Sequence, residues 1–197
     1  MIDRQLVLSP DLFQMARRRA LTSLGTLTLS AGAIALLGAR DSLAAAKSKS
    51  SASQAQDAGI LNTALGAELE AIAAYQLGAE SGLLSKPVLD LAVQFQGHHK
   101  EHAAALAGAV GKLGGKPVEA KKDYGFPADK LKAEKDVVSF AAGLEKGAVS
   151  AYLGAVPIFA DRELARVAAS ILGDEAMHWA VLRHALGQNP VPTAFVS

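Results

Sequence analysis

Apolar residues recur along this chain at alternating spacings of four and three, the interval at which side chains return to one face of an α-helix. Four such stripes can be traced. The first passes through Leu61, Leu65, Ile72 and Ala79, and the second through Val88, Ala92, Phe95, Leu106 and Leu113. The third uses Val138, Ala142, Val149 and Val156, and the fourth Leu164, Ala168, Ile171, Leu182 and Ala185. The punctuation between them agrees. Residues 57–81 open on Asp57 and close at Gly82; a second helix starts near Ser85, with Pro87 in its first turn, and ends at Gly114-Gly115. The third covers residues 135–156 and stops at Pro157; the fourth caps at Asp161 and continues to Gly187. Two prolines in the tail 188–197 forbid further helix, and Val191, Phe195 and Val196 are expected to pack back onto the helices.

The connections are short, long, short. The long one, after Gly114, mixes glycine, proline and lysine with interleaved acidic residues, which reads as a solvated crossover rather than a binding patch. Short loops join antiparallel neighbours and one long link crosses the length of a bundle, so the pattern predicts an all-α four-helix bundle with its crossover between helices 2 and 3.

Each stripe is interrupted by polar residues at mid-length. Written out in full, the first helix places Glu68 and Tyr75 on its stripe and the third places Glu145 and Tyr152. The second places His99 and His102, and the fourth Glu175 and His178. An ionised carboxylate in a core costs several kcal/mol unless it is paired or metal-bound. Four helices interrupted at the same level therefore point to one shared site. The layout also repeats: Glu68-x6-Tyr75 matches Glu145-x6-Tyr152, and His99-x-x-His102 matches Glu175-x-x-His178, as in a pseudo-twofold bundle. Residues three apart share a helix face, so Glu175 and His178 can reach one cavity. Carboxylates neutralise and bridge iron or manganese ions while imidazole supplies terminal ligands. The tyrosines are placed to donate hydrogen bonds to the ligating carboxylates as outer partners. The competing reading is a metal-free polar network, but three carboxylates offer many acceptors against two phenols.

Composition narrows the chemistry. Of 197 residues half are hydrophobic, enough for one core, and there are no cysteines. Disulfides, thiolate metal sites and cysteine nucleophiles are thereby excluded. A net charge of +1 from 20 basic and 19 acidic residues gives no general field for nucleic acid. The N-terminal segment 1–46 is of another kind. Arg17-Arg18-Arg19, an uncharged run over 20–37 and Ala44-Ala45-Ala46 resemble a bacterial twin-arginine export signal, implying a periplasmic or exported protein. The alternative is an uncleaved N-terminal anchor in the inner membrane. Residues 47–56 read as a flexible polar linker, which leaves 57–187 as the working domain.

With these motifs in place, the chain over 57–187 resembles the ferritin-like superfamily, in particular exported bacterial ferritin-like domain proteins. Di-iron bundles of that kind use one Glu from each of two helices and Glu-x-x-His from the other two. Carried over by that likeness, Glu68, Glu145, Glu175, His102 and His178 match ligand positions. His99 stands where the family has a bridging Glu, and Gln96 one turn earlier is no ionised substitute. His99 is then either a third imidazole ligand or the mark of a site reduced to one metal or none. His98 and Glu101 lie off the stripe and are expected to face solvent; His184 is expected to be structural or at the surface. The resemblance implies a di-iron or di-manganese centre acting on dioxygen or peroxide, as an oxidase, peroxidase or ferroxidase in oxidative or metal stress. The alternative is a non-catalytic scaffold or envelope interaction protein with a degenerate site. A homo-oligomer is compatible with either, but cage storage is disfavoured because the tail after Gly187 is too short for a fifth helix.

Overall fold

Four long helices account for most of the residues that the structure, a computed structural model, describes: backbone from 39 to 196, side chains from Ser50 onward. The arginine cluster and the apolar run over 20–37 lie outside the described residues. The chain divides after Ser48, and the bundle belongs to the second unit. The helices are α1 (Ala39–Glu80), α2 (Lys86–Lys112), α3 (Glu134–Ala155) and α4 (Arg162–Ala185). Short 3-10 turns at Ala128–Lys130 and Val156–Ile158 punctuate the crossover and the α3–α4 corner.

The helix ends follow local chemistry. Gly82, with φ of 69°, takes the left-handed turn after α1, and Gly114 and Gly187 do the same after α2 and α4. Asp161 caps α4, accepting from the amides of Glu163 at 2.7 Å and Leu164 at 3.3 Å. One boundary differs from expectation. Residues 47–56 are helical rather than a loose linker, because no glycine or proline interrupts 39–58 and Ala, Lys and Gln favour helix. The side chains of residues 50–56 are largely exposed, so the added turns lengthen α1 without enlarging the core.

Contacts between helix ends give the topology. Asn62, early in the bundled part of α1, bonds Lys116 O and Val118 N just past α2, each at 2.9 Å, so α1 and α2 are antiparallel. Gln56 donates to Ile158 O at 3.0 Å, while Gly78 approaches Val137 so closely that a Cβ there would sit 3.0 Å from its Cγ1. The bundled part of α1 therefore begins, at Gln56, beside the end of α3, and the end of α1 meets the start of α3. The crossover between α2 and α3 must run the length of the bundle to achieve this. Asp57 was legible only as an acidic residue at a helix start. It is in fact buried inside α1, accepting from the amides of Ala160 at 2.8 Å and Asp161 at 2.9 Å, and it pins the α3–α4 corner.

The core has two apolar layers. One is built on Leu61, Leu65, Leu106, Val110, Phe159 and Ile171, the other on Ala92, Phe95, Val138, Ala142 and Leu182. Glu68, His99, Glu145, Glu175 and His178 are all buried on the stretches of chain between those layers. The tail does not pack back as expected. Val191 and Phe195 are 71% and 87% exposed, held locally by bonds such as Thr193 Oγ1 to Phe195 O at 2.6 Å. Among the described residues no helix is long and apolar enough to cross a membrane.

Candidate metal centre

The helical stripes bring all six sequence-predicted ligand residues to one buried layer. Glu68, Glu145, Glu175, His99 and His178 are at most 2% exposed, and His102 is only partly covered. Their ligand atoms fall into two overlapping groups. One comprises Glu68, His99, His102 and Glu175, the other His99, Glu145, Glu175 and His178. Glu175 and His99 belong to both. Glu175 offers Oε1 to the first, 3.1 Å from His102 Nδ1, and Oε2 to the second, 3.4 Å from His178 Nδ1.

His99 lies between the groups and faces both. Its Nδ1 is 2.8 Å from Glu68 Oε2, and its Nε2 is 3.3 Å from Glu145 Oε1. Burial disfavours the charged ring, but hydrogen bonds to Glu145 and Glu68 outweigh it and push its pKa up to about 10. His102 and His178 are raised to about 9 in the same way, against burial, by Glu175 and Glu68 and by Glu145 and Glu175 respectively. Glu68 and Glu145 are held below the usual carboxylate range despite burial, because imidazoles surround them. Glu175 goes the other way. Its burial, with Glu145 beside it, outweighs the help of His102 and His178 and raises its pKa.

The tyrosines cross over. Tyr152 of α3 donates its hydroxyl to Glu68 Oε1 of α1 at 2.5 Å, and Tyr75 of α1 donates to Glu145 of α3. Seven residues of helix rise about 10 Å, too far for a phenol to reach the glutamate on its own helix. Antiparallel helices put each tyrosine level with the other's glutamate. Burial first, then the neighbouring carboxylates, raise both phenol pKa values well above normal, so both hydroxyls remain donors.

Two residues were missed by sequence. His98, expected to face solvent, is half-buried, with Nδ1 3.1 Å from Asp174 Oδ2 and 2.9 Å from His178 Nε2. Asp174 also lies 3.4 Å from His102 Nε2. Both flank the stripes rather than sit on them, and they become covered where α2 faces α4. The signal was present: His98/His102 and Asp174/His178 share the i, i+4 spacing. Glu101 and His184 are exposed as expected. Gln96 turns away to donate to Ile72 O at 3.0 Å and Gln76 Oε1 at 2.8 Å, and takes no part in the cluster.

Two openings lead to this layer. A slot of about 210 Å³ between α1 and α3 ends on Glu68, His99 and Glu145, and small residues such as Gly143, Gly147 and Ala148 form its sides. A wider cleft of about 650 Å³ between α2 and α4 reaches His102 and Asp174.

The sequence over residues 56–188 matches the model of the ferritin-like domain. The chain belongs to the ferritin-like domain family. Among solved structures, this ferritin-like chain is similar to a conserved hypothetical protein, Rv2844, of Mycobacterium tuberculosis. The TM-score is 0.63 at 20% identity, over 73% of this chain and 99% of that one, a likeness of fold. No curated protein matches the sequence significantly. The family accounts for the helical frame. Within it, the buried His and Glu cluster of this ferritin-like chain is consistent with a carboxylate-bridged metal site.

Proposed function

We propose that this ferritin-like chain holds two divalent transition-metal ions, iron or manganese, and uses them on dioxygen or peroxide as an oxidase, peroxidase or ferroxidase. One observation carries the reading. His102 Nδ1, His178 Nδ1 and both oxygens of Glu175 are buried and face one another, at 3.1 Å and 3.4 Å, without a well-aligned hydrogen bond. Each such atom costs roughly 1–3 kcal/mol, and here they converge instead of being scattered. Carboxylate oxygen with imidazole nitrogen is the donor set that suits iron or manganese.

In this reading Glu68 and His102 would hold one ion and Glu145 and His178 the other, with Glu175 in reach of both groups. His99, which belongs to both groups, would add a third imidazole ligand. Bound metal supplies the electrons and Lewis acidity for reduction of an O–O bond. Tyr152 fixes one oxygen of Glu68, leaving Oε2 directed at His99 and His102. The α1–α3 slot gives small neutral molecules a path to Glu68 and Glu145, while the apolar layers above and below exclude bulk water. Anaerobic titration of the metal-free chain with Fe(II) tests the reading, with about two equivalents expected. Uptake below half an equivalent overturns it, and Glu145→Ala is expected to abolish turnover of peroxide or dioxygen.

A non-catalytic scaffold is favoured by a different observation. His99, as an imidazolium, bonds both Glu68 and Glu145 and so neutralises the layer without metal. A melting temperature indifferent to EDTA, Fe(II) and Mn(II) supports that reading, since a ligand of the native state must stabilise it. Export to the periplasm, or tethering to the inner membrane, is proposed from Arg17-Arg18-Arg19 and the run over 20–37 alone. Cell fractionation of a variant with Arg17→Lys and Arg18→Lys checks it.

A further inference from the structure

On the α2–α4 side only His102 of the inner ligands lines the open cleft, and the others lie behind a graded series. Side-chain exposure falls from 35% at His98 to 24% at Asp174, 15% at His102 and 0% at Glu175. His98, Asp174 and His178 form a third group of potential ligands, sharing only His178 with the inner ones, with one ligand atom from each all within 4.8 Å of one another. The imidazole of His178 has two faces. Its Nδ1 looks inward, 3.5 Å from Glu145 Oε1, while its Nε2 looks outward, 3.3 Å from Asp174 Oδ2 and 2.9 Å from His98 Nδ1. His102 is arranged alike, with Nδ1 towards Glu175 and Nε2 towards Asp174. Asp174 and His102 line the 650 Å³ cleft, and the cationic Arg166 at its edge is engaged by Glu163 at 2.9 Å.

We propose that His98, Asp174 and the outward Nε2 of His178 form a capture site for divalent transition-metal cations, through which the inner centre is filled from the α2–α4 cleft. The inference rests on the dimetal reading above. Two imidazoles and a carboxylate suit first-row divalent ions, and partial exposure leaves coordination positions for water, so that a bound ion can exchange. A neutral imidazole binds one ion through one nitrogen. Occupation of the inner centre through His178 Nδ1 therefore releases the outer ion, which makes the outer group a waypoint and not a store. Asp174, in reach of both His102 and His178, can pass an ion to either half of the centre.

Stopped-flow uptake of Co(II) by the metal-free full chain, followed by its visible absorption, tests this. His98→Ala is expected to slow uptake about tenfold, the scale of losing one supporting side chain at a metal site, with the same final absorbance. His98→Asp, which restores a ligand of different chemistry, is expected to recover the rate; a merely structural role for His98 gives no such recovery. Gly147→Leu, at a position on the α1–α3 slot where an added Cβ meets no atom within 4 Å, is expected to leave the rate unchanged. Wild-type uptake rates in His98→Ala, or slowing by Gly147→Leu alone, overturn the proposal and move uptake to the slot. Reduced final absorbance in His98→Ala overturns it differently, by making His98 part of the inner centre. No uptake by the unaltered chain overturns the dimetal reading itself, and the capture site with it.

Discussion

Tyr152 donates to Glu68 across the bundle at 2.5 Å, and Tyr75 answers by donating to Glu145. The two bonds tie α1 to α3 at two levels, one on either side of His99. Replacing either phenol by Phe leaves a buried carboxylate one donor short. Tyr152→Phe is expected to cost about 1–3 kcal/mol in urea unfolding of the metal-free protein. Metal affinity should fall some 10- to 100-fold, as for other outer partners of ligands, and competition titration against a chelating dye measures it.

Glu175 is placed to show opposite effects with and without metal. It is the buried carboxylate whose oxygens both lack a well-aligned hydrogen bond, and its pKa is raised. Glu175→Gln removes that buried charge and is expected to raise the melting temperature of the metal-free protein. The same change should abolish stabilisation by Mn(II), because it takes away the group common to both halves of the centre. Calorimetry with and without Mn(II) separates the two effects, and a drop in the metal-free melting temperature contradicts the first.

His99→Glu puts a fourth carboxylate into the layer and removes its central cation. Without metal the variant is expected to lose about 3–5 kcal/mol, the scale of a broken buried ion pair. With Mn(II) it should recover, and its electron paramagnetic resonance spectrum should show two ions coupled more strongly than in the unaltered chain. Uncoupled spectra in the variant argue against a shared bridging position at residue 99.

The imidazoles set a pH window. His99, near 10, and His102 and His178, near 9, all lie above their ordinary value of 6.5. The stability they contribute is complete below pH 6.5 and lost as pH rises through 9 to 10. Glu68 and Glu145 are depressed, so their contribution is present above about 4.5 and lost on acidification. These groups together favour metal-free protein between about pH 4.5 and 6.5, while Glu175, whose pKa is raised, opposes them as pH rises above about 4.5. Metal binding at neutral pH must expel protons from these rings. Titration calorimetry in buffers of different ionisation enthalpy reads the number released.

The fold was legible because four apolar stripes and one long connection leave few arrangements. Helix ends at Pro87, Pro157, Asp161 and Gly187 fell near their expected places for reasons of backbone chemistry alone. The start of α1 was not legible, since a polar Ala, Ser and Lys segment is compatible with either linker or exposed helix. In the centre, Glu68, His99, His102, Glu145, Glu175 and His178 stood out because polar groups on a core stripe are costly. Asp174 and His98 did not, because they sit one position off the stripe, where burial depends on the neighbouring helix. Crossed pairing of the tyrosines followed from helix direction, which spacing within a single helix does not contain.

Glu175 comes from the fourth helix, and both halves of the cluster draw on it. During synthesis, Glu68, His99, His102 and Glu145 all emerge before the residue that joins them. The earlier helices can associate with His99 as their internal counterion, and the buried His and Glu cluster is complete only once the last helix docks. On the dimetal reading, the order of the helices along the chain would make metal acquisition a late event, one that discriminates finished bundles from partial ones.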